Sequence, residues 1–135
     1  MNLFQLGDFT LNSGATSRWK LECDALSDCD VKALAEMIRQ MVGPFHTVEG
    51  VPRGGLRLAE ALKPFVGLGG DYLFVDDVLT TGDSMERARR EWSVRTGWDT
   101  GRARGAVIFA RGQCPPWIKP LFQMPECFWL KPRQR

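Results

Sequence analysis

Apolar positions along the chain change period several times, and each change marks an element. Val31, Leu34, Ala35, Ile38, Met41 and Val42 recur at the spacing of an amphipathic helix, with Asp28 or Asp30 placed to cap its start and Gly43-Pro44 to stop it. His46 to Val51 reads as a short strand. The glycines of Val51-Pro52-Arg53-Gly54-Gly55 lead into a second helix, LRLAEAL, which Pro64 ends, and Phe65 to Gly70 is expected as a turn. Tyr72-Leu73-Phe74-Val75 is a continuous apolar run suited to a central parallel strand reaching Val78. After it, Met85, Ala88, Arg89, Trp92 and Arg95 share one helix that ends at Gly97. Ala106 to Ala110 supplies the next strand, and Leu121 to Met124 or Phe128 to Leu130 a last one.

Strands alternating with helices predict an α/β fold, a Rossmann-like parallel sheet flanked by helices. In such sheets ligands bind at the carboxyl ends of the strands, near a topological switch point. The glycine turns at 51–55 and 79–84 both follow strands and precede helices, so they are expected to face one crevice. A length of 135 residues fits a single domain spanning residues 1–135.

Composition narrows the class without naming a chemistry. A hydrophobic fraction of 44% and a charged fraction of 25% describe a folded chain and not a disordered one. The net charge of +2 gives no argument for a nucleic-acid or membrane partner, and the locally basic Lys131, Arg133 and Arg135 are read as solubilising. Cys23, Cys29, Cys114 and Cys127 lack metal-site spacing and are expected as reduced, mostly buried thiols. The start of the chain lacks the pattern of a secretory signal and no stretch is apolar enough to span a membrane, so a cytoplasmic location is expected.

The chemistry concentrates in VDDVLTTGDS. An apolar strand ends in two adjacent carboxylates, Asp76 and Asp77, and enters a small, hydroxyl-rich turn that opens a helix. Free amides of Thr81, Gly82, Asp83 and Ser84, with the hydroxyls of Thr80, Thr81 and Ser84, can ring a phosphate dianion, and Gly82 is expected to let the backbone come close. A carboxylate accepts two parallel hydrogen bonds from a ribose diol, and it can also hold Mg²⁺ or one of its waters. The plainer alternative is a solvated strand end followed by an ordinary helix N-cap.

Leu73 to Ser84 resembles, without a gap, the phosphoribosyl-pyrophosphate (PRPP) motif of the type I phosphoribosyltransferases. Val51, Pro52, Arg53, Gly54 and Gly55 are similar to that family's pyrophosphate loop, in which amides and a basic side chain hold the leaving group. The family often has a cis peptide in this loop, and at the matching place here Val51-Pro52 is the expected cis bond, because proline lowers its cost. Near the N-terminus, Phe9, Leu11, Ser13, Gly14, Ser17 and Trp19 fit the opening frame of the orotate phosphoribosyltransferases. The resemblance implies base contacts from Asn12, Ser13 and Trp19. Trp117 either stacks on the base or packs the core.

Two departures from that pattern stand in the sequence. Asn12 replaces the lysine usual in the orotate enzymes, and about twenty residues separate the 51–55 turn from Asp76, where the family carries a further strand and a mobile basic loop. Cover for the site is then expected from a homodimer partner, since family members commonly pair, or from Arg102, Arg104 or Arg111, which otherwise read as surface charges. The resemblance implies a phosphoribosyltransferase-type fold with a reduced hood. It also implies an enzyme of nucleotide metabolism that uses Mg²⁺ and PRPP to transfer phosphoribose onto orotate or a related small heterocyclic base, releasing pyrophosphate. Asp76 and Asp77 would be its catalytic and metal-binding residues. The alternative is a module of the same fold that binds PRPP or a nucleotide without turnover.

Overall fold

The structure is a computed structural model that describes residues 1–11 and 14–125. Asn12, Ser13, Cys127, the alternative last strand Phe128 to Leu130 and the basic tail lie outside the described residues. In chain order the elements are β1 (Phe4–Thr10), β2 (Thr16–Leu21), α1 (Asp28–Val42), β3 (Phe45–Gly50), α2 (Gly55–Leu62), β4 (Asp71–Leu79), α3 (Asp83–Thr96), β5 (Ala103–Ala110) and β6 (Ile118–Gln123). β1 and β2 form an antiparallel hairpin, whose register shifts between Leu6 and Phe9. The other four strands make a parallel sheet in the order β3-β4-β5-β6.

Local chemistry explains most boundaries. α1 starts at a capping box: the Asp30 amide donates to Ser27 Oγ at 3.1 Å and the Ser27 amide donates to the Asp30 carboxylate at 2.9 Å. The cap is therefore Ser27, and Asp30 is its reciprocal partner three positions on. Pro64 ends α2 as expected, in a short 3-10 turn over Lys63–Phe65. Gly97 closes α3 in a left-handed conformation, φ 76°. β6 begins at Ile118, three residues before the expected Leu121, despite Pro120. An edge strand tolerates a proline because one side of its backbone needs no ladder donor.

α1 and α2 cover one face of the sheet, where Ala35, Ile38, Leu58 and Leu62 pack with Leu73, Val75, Ala106 and Ile108. α3 covers the other, where Met85 and Trp92 pack with Phe74, Ala103 and Val107. The alternation of Leu73, Phe74 and Val75 between the two cores is the period-2 consequence of a strand buried on both sides.

β3, β4 and β5 step across the sheet in one direction, yet their connecting helices lie on opposite faces. Two parallel crossovers arranged this way have opposite hands, so one departs from the right-handed rule. No reversal of strand order occurs among the described residues. The chain still parts at the carboxyl ends of β3 and β4, because α2 leaves toward one face and α3 toward the other, and a crevice opens between adjacent strands.

Trp92 is 1% exposed and packs against Tyr72 and Phe74, with ring centroids at 4.7 and 5.8 Å. Trp92→Ala is expected to cost about 3–5 kcal/mol, read by urea unfolding. A loss below about 1 kcal/mol would show that α3 does not close this core.

Candidate functional site

A cleft of about 730 Å³ lies at the carboxyl ends of β3 and β4. Its walls are the loop after β3, the end of β4 with the start of α3, the far end of β2, and Arg111 after β5. Of the residues expected at the site, Pro52, Arg53, Gly54, Asp76, Asp77, Thr80, Thr81, Gly82, Asp83 and Ser84 line it together. Val51 and Gly55 do not line it; both are buried, and they fix the loop from beneath.

The turn after β4 is built to leave donors free. Gly82 takes a left-handed φ of 86° as the residue before α3, which a side chain would oppose. A Cβ there would meet nothing closer than a Leu79 methyl at 3.8 Å, so conformation and not close approach requires this glycine. α3 has no side-chain cap; its first internal bond runs from the Glu86 amide to the Gly82 carbonyl at 3.0 Å. The Asp83 amide makes only a long contact to Thr81 Oγ1, 3.3 Å, and the Gly82 and Ser84 amides have no acceptor among the described residues. Amides converging at the positive end of a helix dipole fit an anion.

The carboxylates sit deeper. The Asp77 amide donates to Asp76 Oδ1 at 2.8 Å and the Val78 amide donates to Asp77 Oδ1 at 2.7 Å, so each side chain folds back onto the strand end. Gly54 lies against Asp77 so closely that a Cβ at 54 would run into the carboxylate. Burial, and then the hydrogen bond and charge of Asp77, raise the Asp76 carboxyl to about 8. Cys23, at the end of β2, lines the same wall; burial first, and then the Asp77 charge, push its thiol up to about 12, so it stays protonated beside Asp77. No group of three or more His, Cys, Asp and Glu able to hold a metal occurs among the described residues. A cation here would rest on one or two carboxylates and on ligand oxygens, which is how Mg²⁺ is commonly held.

The loop after β3 carries a cis peptide at Pro52–Arg53, not at Val51–Pro52. Proline lowers the cost of cis at the bond before it, but it does not choose the bond, and the loop turns one residue later.

The cleft is also lined by residues outside the two expected loops and the carboxylate pair, among them Lys20, Cys23, Arg87 and Arg111. Arg111, expected as cover for the site or as surface charge, is 1% exposed. It donates from Nη2 to Ser17 Oγ at 2.7 Å and from Nη1 to the Trp19 carbonyl at 3.1 Å, and lies 3.6 Å from the Trp19 ring centre. It has no carboxylate partner among the described residues, and burial lowers its pKa. Its signal was position: it directly follows an apolar strand whose Ala110 pairs with Leu79. Lys20 lines the cleft and is balanced by Glu22 at 3.2 Å. Cys23 and Arg87 line it too, and only the tertiary structure reveals them.

The remaining expectations separate. Trp19 lies behind Arg111 and does not line the cleft. Trp117 packs the core: its ring meets Phe74 edge-on at 6.5 Å and the Arg89 guanidinium at 4.4 Å, away from the cleft. Arg102 and Arg104 serve Asp71 at the start of β4, with Arg104 also bonding the Val42 and Pro44 carbonyls. No helix among the described residues is long and apolar enough to cross a membrane.

No protein-family model and no curated protein matches the chain. Solved structures do. An orotate phosphoribosyltransferase from Aeropyrum pernix superposes with TM-score 0.65 at 24% identity, covering 82% of this chain and 76% of that one. A UMP synthase of Leishmania donovani gives 0.68 at 14%, covering 90% and 34%. The orotate phosphoribosyltransferase of Mycobacterium tuberculosis H37Rv in complex with Fe(III) dicitrate gives 0.63 at 15%, covering 90% and 89%.

Two substitutions test this geometry. Gly54→Ala is expected to displace the Asp77 carboxylate while costing about 1–2 kcal/mol of stability, visible as shifted amide resonances at 76–78; unchanged resonances there would remove the contact. The raised Asp76 pKa means that the folded protein holds a proton the unfolded chain would release, so its stability falls as pH rises from about 4 to about 8. In magnesium-free buffer, Asp76→Asn is therefore expected to gain about 1–3 kcal/mol over wild type at pH 8.5 and almost nothing below pH 4. Equal melting curves at both pH values would contradict the assignment.

Proposed function

We propose that this chain, which has the fold of the type I phosphoribosyltransferases, binds PRPP in the cleft and transfers its phosphoribosyl group to a heterocyclic base. The observation that carries this reading is the juxtaposition of uncapped helix amides at 82–84 with a half-buried carboxylate pair at 76–77. One end suits a phosphate dianion and the other a ribose diol.

In this reading the 5′-phosphate lies on the loop of Thr80, Thr81, Gly82, Asp83 and Ser84, and Asp76 and Asp77 hold the ribose hydroxyls. The leaving pyrophosphate faces Arg53 and the amides of the 51–55 loop. The bond between the anomeric carbon and the pyrophosphate oxygen breaks, with its electron pair going to the leaving group. A ring nitrogen of the base supplies the new pair to the anomeric carbon and loses its proton to solvent. Positive charge grows on the sugar ring, where the Asp77 carboxylate stabilises it, joined by Asp76 once its proton passes to solvent, and negative charge grows toward Arg53. Asp76 and Asp77 fit Mg²⁺, which when bound neutralises charge on pyrophosphate oxygens.

Arg111 favours an acceptor with an anionic group. A buried guanidinium that lines the cleft without a carboxylate partner is costly until an anion arrives, and a ring carboxylate such as that of orotate supplies one.

One feature supports the second reading, a binding module without turnover. α2 is joined to β4 by the 3-10 turn and Val66 to Gly70, at the end of the sheet opposite the cleft, so this connection supplies no cover. Exposure to water at the reacting carbon lowers the rate without preventing binding.

Pyrophosphate release from PRPP and Mg²⁺, scanned across orotate, uracil, other pyrimidines and purines with PRPP calorimetry on the same sample, separates the two. Turnover is expected with an anionic pyrimidine, and the D76N/D77N variant is expected to lose PRPP affinity by about 100-fold or more while keeping its circular dichroism. Normal PRPP binding by that variant would refute the site.

A further inference from the structure

α3 carries two exposed arginines, Arg87 and Arg90, that have no ion pair among the described residues, and of the two only Arg87 lines the cleft. Arg87 stands four residues after Asp83 and four before Glu91, the spacing at which helical charges pair, and it bonds to neither. Among the described residues it has no ion pair and no side-chain hydrogen bond. Arg89 and Arg95 behave otherwise: Arg89 grips both oxygens of Glu86 at 2.7 and 2.9 Å, and Arg95 approaches Glu49 at 3.7 Å. Arg87 instead lines the cleft. Helical side chains lean toward the N-terminus of their helix, so a residue one turn into α3 reaches back over the turn that precedes it. A cation near a helix N-terminus gains nothing from the dipole, and an anion held by the turn reverses that balance.

We propose that Arg87 determines the specificity of this turn by closing its guanidinium over the outer oxygens of a sugar 5′-phosphate whose inner oxygens take the amides of 82–84. This rests on the PRPP reading above and deepens it. The ligand class is a dianionic sugar phosphomonoester, and Arg87, exposed at the cleft, supplies part of the cationic cover that the short α2–β4 connection lacks. Planar, multidentate donation suits a phosphate better than a lysine ammonium does.

The test is calorimetry with Mg²⁺ on wild type, Arg87→Ala, Arg87→Lys and Arg90→Ala, using PRPP, ribose 5-phosphate and inorganic pyrophosphate as probes. Arg90 is an exposed arginine of the same helix that does not line the cleft and controls for overall charge. Arg87→Ala is expected to weaken PRPP and ribose 5-phosphate alike, by about tenfold, and to leave pyrophosphate unchanged. Arg87→Lys is expected to recover part of the loss, and Arg90→Ala to match wild type. If Arg87→Ala binds ribose 5-phosphate as wild type does, or weakens pyrophosphate equally, the inference is overturned while the PRPP reading stands. Wild-type protein that binds neither PRPP nor ribose 5-phosphate overturns both.

Discussion

The site depends on how closely the loop after β3 is pressed onto the end of β4. The Val51 amide donates to the Val75 carbonyl at 2.8 Å, continuing the sheet one residue past the strand. There is then no room for side chains: a Cβ on Gly50 would strike the Gly55 carbonyl, one on Gly55 the Val75 carbonyl, and one on Gly54 the Asp77 carboxylate. Three glycines in six residues are thus a steric requirement, Gly50 and Gly55 of backbone lying on backbone and Gly54 of backbone lying on the Asp77 carboxylate. The approach sets the width of the cleft, places Arg53 at its mouth and holds Asp77 between Gly54 and the Cys23 thiol.

Around that contact the electrostatics are unfinished. Two adjacent carboxylates share a poorly hydrated wall, and Asp76 relieves the strain of like charge by keeping a proton. Among the described residues Arg111 is buried without a counter-ion, Arg53 and Arg87 have no carboxylate partners, and the first amides of α3 lack a side-chain cap. A protein interior normally resolves such groups internally. Here the uncapped amides of α3 and the Arg53 side chain line the same cleft as the acceptors Asp76 and Asp77.

Much of this was legible in the sequence, and the gaps have physical causes. The runs 31–42 and 72–78 declared their elements, because a helix with one buried face and a strand with two each impose a period that no other element shares. VPRGG and TTGDS declared the cleft, because few local structures need those residues after a strand. The hairpin of β1 and β2 was not read as structure: Phe4 and Leu6 are exposed at 56% and 89%, so its apolar residues show no clean alternation. Arg111 was expected as cover for the site or as surface charge, and Trp117 was left open between base and core, because hydrophobic period does not place such residues. Whether an arginine or a tryptophan near a strand end faces solvent, ligand or core depends on which elements pack beside it, and that is settled by tertiary contacts with Ser17, Trp19, Phe74 and Arg89. The opposite-handed crossovers were also beyond sequence, since hydrophobic period locates a buried face but not which face of the sheet receives it.

A crystal structure of the protein grown with PRPP and Mg²⁺ addresses the central claim directly. The account predicts the 5′-phosphate within hydrogen-bond distance, about 2.7–3.2 Å, of the Gly82 to Ser84 amides, with the ribose hydroxyls on Asp76 or Asp77 and the pyrophosphate against Arg53. A ligand bound elsewhere, or a cleft that stays empty at saturating PRPP, would contradict it.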